Sequence, residues 1–135
     1  MTEERTTTVR AFFDAWNRRD LAAALELIGD DFEYVNPPNA VEPGTRQGVV
    51  GVTKVMSEQW EALGADARLE IDRLHHREAH AITEARLSRG MPGSTARLEV
   101  KAVMRWTFEG DRLVRMEVLG AGSSYADALA DADLP

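Results

Sequence analysis

Ala96-Arg97-Leu98-Glu99-Val100-Lys101-Ala102-Val103-Met104-Arg105-Trp106-Thr107-Phe108-Glu109 alternates along its whole length. Ala96, Leu98, Val100, Ala102, Met104, Trp106 and Phe108 share one parity. Arg97, Glu99, Lys101 and Arg105 share the other, interrupted by Val103 and Thr107. A period of two is that of a β-strand, and a face this apolar has to be covered. The neighbouring stretches Ala67–His76, Ala79–Arg89 and Arg112–Leu119 also alternate. Arg77-Glu78, Gly90–Gly93 and Gly110-Asp111 separate them, and the last two breaks carry turn residues. Strands this close in sequence predict an antiparallel meander. Further upstream, Asp31–Asn36 reads as a shorter strand, with Phe32, Tyr34 and Asn36 on one face and Glu33 and Val35 on the other. Pro37-Pro38 stops it, because proline donates no ladder hydrogen bond.

The cover has to come from the N-terminal third. Val9, Phe12, Phe13 and Trp16 recur at helical spacing, with Arg10, Asp14, Asn17 and Arg18 on the opposite side. Thr6-Thr7-Thr8 reads as a polar lead-in. Asp20 is placed to cap a second helix with Leu21, Leu25 and Ile28 inward, and Gly29 to close it in the left-handed conformation. A loop through Pro43-Gly44 leads to a third helix over Gln47–Leu63. Val49, Val52, Met56, Trp60 and Leu63 form its apolar side, and Gly64 ends it. Ser123 or Ser124 could cap a short last helix containing Tyr125 and Leu129. The order ααβαββββ predicts an α+β fold in one domain, residues 1–135. Its curved antiparallel sheet forms a cone around the three N-terminal helices. Such a cone keeps a pocket where the helices fail to fill it.

Charge and composition narrow the function. The chain has 16 basic and 23 acidic side chains, a net charge of −7. That is the wrong electrostatic footprint for nucleic acid or an anionic membrane surface. The longest apolar run, Leu21–Leu25, is far too short to span a bilayer. There is no cysteine, which excludes disulfides, thiolate nucleophiles and cysteine metal sites and fits a cytoplasmic location. The charged start Met1-Thr2-Glu3-Glu4-Arg5 does not resemble a secretory signal. His75, His76 and His80 fall about a hairpin with no third ligand in view, so a solvated turn is expected rather than a metal site. No cofactor fingerprint is present. The expected partner is a small molecule.

Several local texts carry a resemblance. Val9-Arg10-Ala11-Phe12-Phe13-Asp14-Ala15-Trp16-Asn17-Arg18-Arg19-Asp20 resembles the first helix, with its Asn-x-x-Asp exit, of the nuclear transport factor 2-like superfamily. Phe32-Glu33-Tyr34-Val35-Asn36-Pro37 is similar to the superfamily's first strand. Thr107-Phe108-Glu109-Gly110-Asp111-Arg112-Leu113-Val114-Arg115 is similar to its last hairpin. Within the superfamily the chain resembles SnoaL-like polyketide cyclases. That fold hosts isomerases, cyclases, hydrolases, dehydratases and non-catalytic binding domains, so the resemblance implies fold more than chemistry. Ketosteroid isomerase activity is not implied: its base, oxyanion tyrosine and protonated aspartate fall on Asn36, Phe12 and Met104, none of which does proton or oxyanion chemistry. In limonene-type epoxide hydrolases a tyrosine and an asparagine hold the attacking water, and they match Tyr34 and Asn36. The Arg-x-Asp pair of those enzymes falls on Glu84-Ala85-Arg86 with the charges reversed. Members of the superfamily often dimerise through the outer sheet face, which implies a homodimer here.

The residues then sort by chemistry. The resemblance places an acid/base carboxylate late in the sheet, which points to Glu117. If Glu117 shares a face with Arg115 and Leu119 it looks into the cone, where desolvation would raise its pKa towards that of a general base. Tyr34 and Asn36 are candidate ligand-orienting groups. Phe12, Trp16, Met56, Trp60, Met104 and Trp106 are core residues expected to line part of any cavity. Glu84 and Arg86 read as outer-face residues. A turn at Pro92-Gly93 would set Glu84 against Lys101 and Arg86 against Glu99. Three functions stay open: a cyclase- or isomerase-type enzyme, a non-catalytic ligand-binding or association module, and an epoxide hydrolase with rearranged charges.

Overall fold

In a computed structural model the alternating stretch becomes the longest strand of one six-stranded sheet. The structure describes residues 2–36, 44–77, 79–90 and 93–119. The elements run α1 (Thr2–Arg18), α2 (Leu21–Glu26), β1 (Ile28–Asn36), β2 (Gly44–Gln47), α3 (Gly48–Leu63), β3 (Arg68–Arg77), β4 (His80–Gly90), β5 (Arg97–Glu109) and β6 (Arg112–Val118). The strand order is β2-β1-β6-β5-β4-β3. Strands β3 to β6 form the expected antiparallel meander. The sheet is not wholly antiparallel, because β1 pairs with β6 in parallel. The long stretch between them, which contains α3, is what a parallel neighbour requires.

Helix α1 packs against β3 at one edge, and α3 packs against β1 near the other. A sheet that meets helices near both ends has to curve around them. Buried Phe12, Phe13, Trp16, Val52 and Met56 meet the inner face of the sheet, where Trp106 sits at the centre. Phe12 and Phe13 approach the Trp106 ring at 5.5 and 5.6 Å. The buried indole N–H donates to Thr83 Oγ1 at 2.9 Å, so the central aromatic leaves no polar atom unpaired.

Polar side chains fasten the helices. The Asp20 carboxylate accepts from the Ala23 N–H at 3.1 Å and caps α2. Asn17 pairs with edge strand β3 as another strand would. Its amide donates to the Leu69 carbonyl at 2.8 Å, and its oxygen accepts from the Leu69 N–H at 2.7 Å. Arg19 stands at φ 58° between the two helices. Its guanidinium donates to the Gly64 carbonyl at 2.7 Å, satisfying the turn beyond α3, and lies 5.0 Å over Trp16.

Local expectations change in several places. Thr6–Thr8 belong to α1 rather than to a lead-in. Helix α2 stops at Glu26, and Ile28 and Gly29 open β1, so Gly29 is no helix cap. Gly44–Gln47, read as loop, is the edge strand β2. Val49 is 43% exposed rather than part of the buried stripe of α3, which is carried by Val52, Val55 and Met56. Glu84 and Arg86 do face outward, but in another register: Glu84 opposes Val103, and Arg86 opposes Lys101. The expected helix containing Tyr125 and Leu129 lies outside the described residues.

One irregularity matters for the site. Between β5 and β6, Phe108 opposes Leu113 but Thr107 opposes Arg115, so β6 holds one extra residue, Val114. Such a bulge reverses the parity of everything after it. Leu113 and Met116 therefore both point inward, three residues apart rather than two.

Candidate functional site

The helices and the inner sheet face leave a cavity of about 230 Å³ between them. Phe12, Phe13 and Trp16 line it from α1; Tyr34 and Asn36 from β1; Met56, Gln59 and Leu63 from α3. Its sheet wall comprises Leu69, Leu87, Val100, Ala102, Met104, Trp106, Met116 and Val118. These sheet residues share the inner face because Leu69, Leu87 and Val100 stand opposite one another across β3, β4 and β5, Ala102, Met104 and Trp106 follow at every second position, and the β6 bulge turns Met116 and Val118 to that side. The walls are aliphatic, aromatic and thioether surface, which favours an apolar occupant.

The polar exceptions are few. Tyr34 is buried, and its hydroxyl oxygen accepts from Gln59 Nε2 at 2.6 Å. Gln59 Oε1 in turn accepts from the Trp16 indole N–H at 3.1 Å. Burial pushes the Tyr34 phenol above its ordinary pKa, and the hydrogen bond from Gln59 only partly offsets this. Tyr34 is thus a neutral phenol at physiological pH. It is also the one titratable side chain lining the cavity among the described residues. Asn36 lies two residues further along β1 on the same face.

Of the residues singled out from sequence, Tyr34, Asn36, Trp106, Met104, Phe12, Trp16 and Met56 all meet at this cavity. Trp60 does not line it. It supports the wall from behind, with its ring 6.3 Å from Trp16 and its indole N–H donating to the Trp16 carbonyl at 3.0 Å. Glu117 does not line it either. The β6 bulge puts Glu117 opposite Arg105 on the outer face, where their side chains approach at 3.9 Å. Glu84 and Arg86 are also outer-face residues. Glu84 accepts from Arg73 at 2.9 and 3.1 Å, and Arg86 reaches Glu70 and Asp72 at 3.0 and 3.2 Å. The three charges that an epoxide-opening site would bring into one cavity stay outside it.

Gln59 is the polar lining residue that the sequence reading missed. A glutamine on a helix reads as a solvated residue. The available signal was its spacing, seven residues after Val52 and three after Met56, on the buried stripe. Among the described residues no group of three or more metal-ligating side chains occurs. His76 packs edge-on to Phe108, with ring centroids 6.1 Å apart. Its two ring nitrogens lack a partner among the described residues. Burial, with help from the Arg5 and His75 charges, holds its pKa below the usual histidine value.

With this geometry in place, the comparisons decide the family. The model of the SnoaL-like domain matches residues 9–116, most of the chain. The chain belongs to the SnoaL-like domain family. Solved structures share the fold of this SnoaL-like domain at low identity. Bal32a, from a soil-derived mobile gene cassette, superposes with a TM-score of 0.78 at 17% identity, covering 90% of this chain and 92% of its own. TerC, co-crystallized with polyporic acid, gives 0.73 at 18% identity and covers 97% of each chain. A candidate polyketide cyclase from Sinorhizobium meliloti gives 0.67 at 23% identity, covering 84% of this chain and 94% of its own. These likenesses establish the nuclear transport factor 2-like, cystatin-like fold of the SnoaL-like domain. No curated protein matches the chain. Among the described residues, no helix of the SnoaL-like domain is long and apolar enough to cross a membrane.

Proposed function

We propose that this SnoaL-like domain binds a small, largely apolar or carbonyl-containing molecule in the cavity between α1, α3 and the inner sheet face. The observation that carries the reading is the lining itself. Apolar side chains dominate it, and the polar groups are confined to Tyr34, Gln59 and Asn36 among otherwise apolar walls. An apolar cavity of ~150 Å³ already takes benzene, so about 230 Å³ suits a substituted aromatic or a small terpenoid. The co-crystallization of TerC with polyporic acid supports a small-molecule occupant for this fold.

The lining favours binding over acid/base turnover. A general base needs a pKa near the working pH, whereas burial moves the Tyr34 phenol away from it. Tyr34 is suited to donate a hydrogen bond and thereby polarise a carbonyl. A cyclase- or isomerase-type reaction would draw its base from beyond the described lining.

Tryptophan fluorescence reads the test directly, because Trp16 and Trp106 both line the cavity. Naphthalene is expected to quench saturably in the wild type. Ala102→Phe, which fills the cavity from β5, should abolish saturation while leaving the fold intact by circular dichroism. Equal quenching of the two proteins would sink the reading.

A further inference from the structure

The chain Trp16–Gln59–Tyr34 has a fixed direction, and that direction reads out the ligand. An indole nitrogen can only donate. The Gln59 atom that meets it at 3.1 Å must therefore be the carbonyl oxygen. This leaves the amide nitrogen facing Tyr34 at 2.6 Å, and an amide N–H also only donates. The phenol oxygen must then accept, so its own hydrogen has to point elsewhere. Among the described residues the hydroxyl makes no second hydrogen bond, and Tyr34 is buried at the cavity wall. A buried donor without a partner costs free energy until something accepts from it.

We infer that Gln59 is a positioning residue that makes Tyr34 an obligate donor into the cavity, so that the site selects uncharged ligands bearing a hydrogen-bond acceptor, such as ketones, aldehydes or ethers. The inference rests on the binding reading above and deepens it. The selection works in two ways. A hydrocarbon of the same shape leaves the phenol hydrogen unpaired. A carboxylate would satisfy it but would be buried without a cation, since no basic side chain lines the cavity among the described residues. Trp16 is itself fixed, with Trp60 donating to its carbonyl and Arg19 lying over its ring. The direction is thus set by donor-only and acceptor-only atoms on packed elements, α1 and α3, rather than by a mobile side chain.

Acetophenone and ethylbenzene have nearly the same shape and differ in the acceptor, so they are suitable probes. Tryptophan quenching is expected to give wild-type binding of both, with acetophenone tighter by roughly tenfold, equivalent to ~1.4 kcal/mol. Tyr34→Phe should bring the two affinities together while leaving that for ethylbenzene unchanged. Infrared difference spectra give a second readout. The carbonyl stretch of bound acetophenone should lie below its position in hexane and return towards it in Tyr34→Phe. Gln59→Met, close in volume and without the amide, should lower the acetophenone preference severalfold and broaden the stretch, again with ethylbenzene unaffected. Retained ethylbenzene binding shows that each variant is folded. Wild-type affinities that are equal for the two probes would overturn the donor assignment and leave the binding reading standing. An unchanged preference and stretch in Gln59→Met would overturn the role of Gln59. Failure of both probes to bind the wild type would overturn the binding reading, and the inference with it.

Discussion

Thr83 is fully buried in the middle of β4, and its hydroxyl accepts from the indole of Trp106. Valine has nearly the same shape, so Thr83→Val keeps the packing and removes only the acceptor. The indole N–H is then buried and unpaired, which costs about 1–3 kcal/mol. The urea midpoint should fall accordingly with the slope unchanged, since the surface exposed on unfolding stays the same. An unchanged midpoint would mean that the indole finds another acceptor. This hydrogen bond was not legible in the sequence, because it joins residues 23 positions apart. The inward parity of Thr83 was legible, because Ala81, Ala85 and Leu87 fix the face. Gln59 was harder still: its polarity argued for solvent, and only its burial stripe argued against. Sequence patterns locate apolar stripes well. They miss a polar side chain that is buried because two other buried groups require it.

The elements themselves differ in how much of their structure the sequence announces. Strand β5 announced itself because an apolar residue stands at every second position from Leu98 to Phe108. In β6 apolar residues fall on both parities, and the bulge that resolves this is visible only once β5 is alongside, so Glu117 was placed on the wrong face. Strand β2 is four residues long and largely exposed, and it exists because β1 offers it a partner. Strand β3 brings His76 against Phe108 and Arg5, whose guanidinium lies 5.6 Å over the Phe108 ring. The depressed pKa of His76 sets the direction of its effect on stability. The contribution is fully present above the unfolded value of ~6.5 and is lost as pH falls through the lower folded value. Urea midpoints measured near pH ~7.5 and ~5 should therefore drop further in the wild type than in His76→Leu. The two proteins share every other side chain, so the difference between the two drops isolates His76. Equal drops would show that His76 is protonated as easily in the folded chain as in the unfolded one.

The whole molecule presents two contrasting faces on one sheet. The inner face is apolar. The outer face carries ion pairs across β3, β4, β5 and β6: Arg73 with Glu84 at 2.9 Å, Arg86 with Glu70, Asp72 and Glu99 at 3.0, 3.2 and 3.6 Å, and Arg105 with Glu117 at 3.9 Å. Exposed pairs of this kind contribute little to stability one by one. Their larger effect is on what the face can meet. A homodimer through this face, proposed from the resemblance, would be held by charges that salt screens. Light scattering is expected to give a dimer mass at low ionic strength that falls towards the monomer at high salt. A monomer at low salt would remove the outer face as an interface. The architecture was legible because it follows from the order of elements and from one face that demanded cover. The cavity contents were not, because they depend on which parity each strand presents after its irregularities.

That dependence gives Val114 an influence out of proportion to its chemistry. It does not line the cavity, yet its bulge sets which half of the strand after it does. If Val114 were paired in plain alternation instead of bulging, the same residues would carry Met116 and Val118 to the solvent side and bring Arg115 and Glu117 in beside Trp106 and Met104. An apolar chamber would become one holding an acid and a base without any substitution. In this fold the distance between a receptor and a candidate enzyme is a single slip of register, and a chain's chemistry has to be judged by counting residues through its bulges as well as by reading their identities.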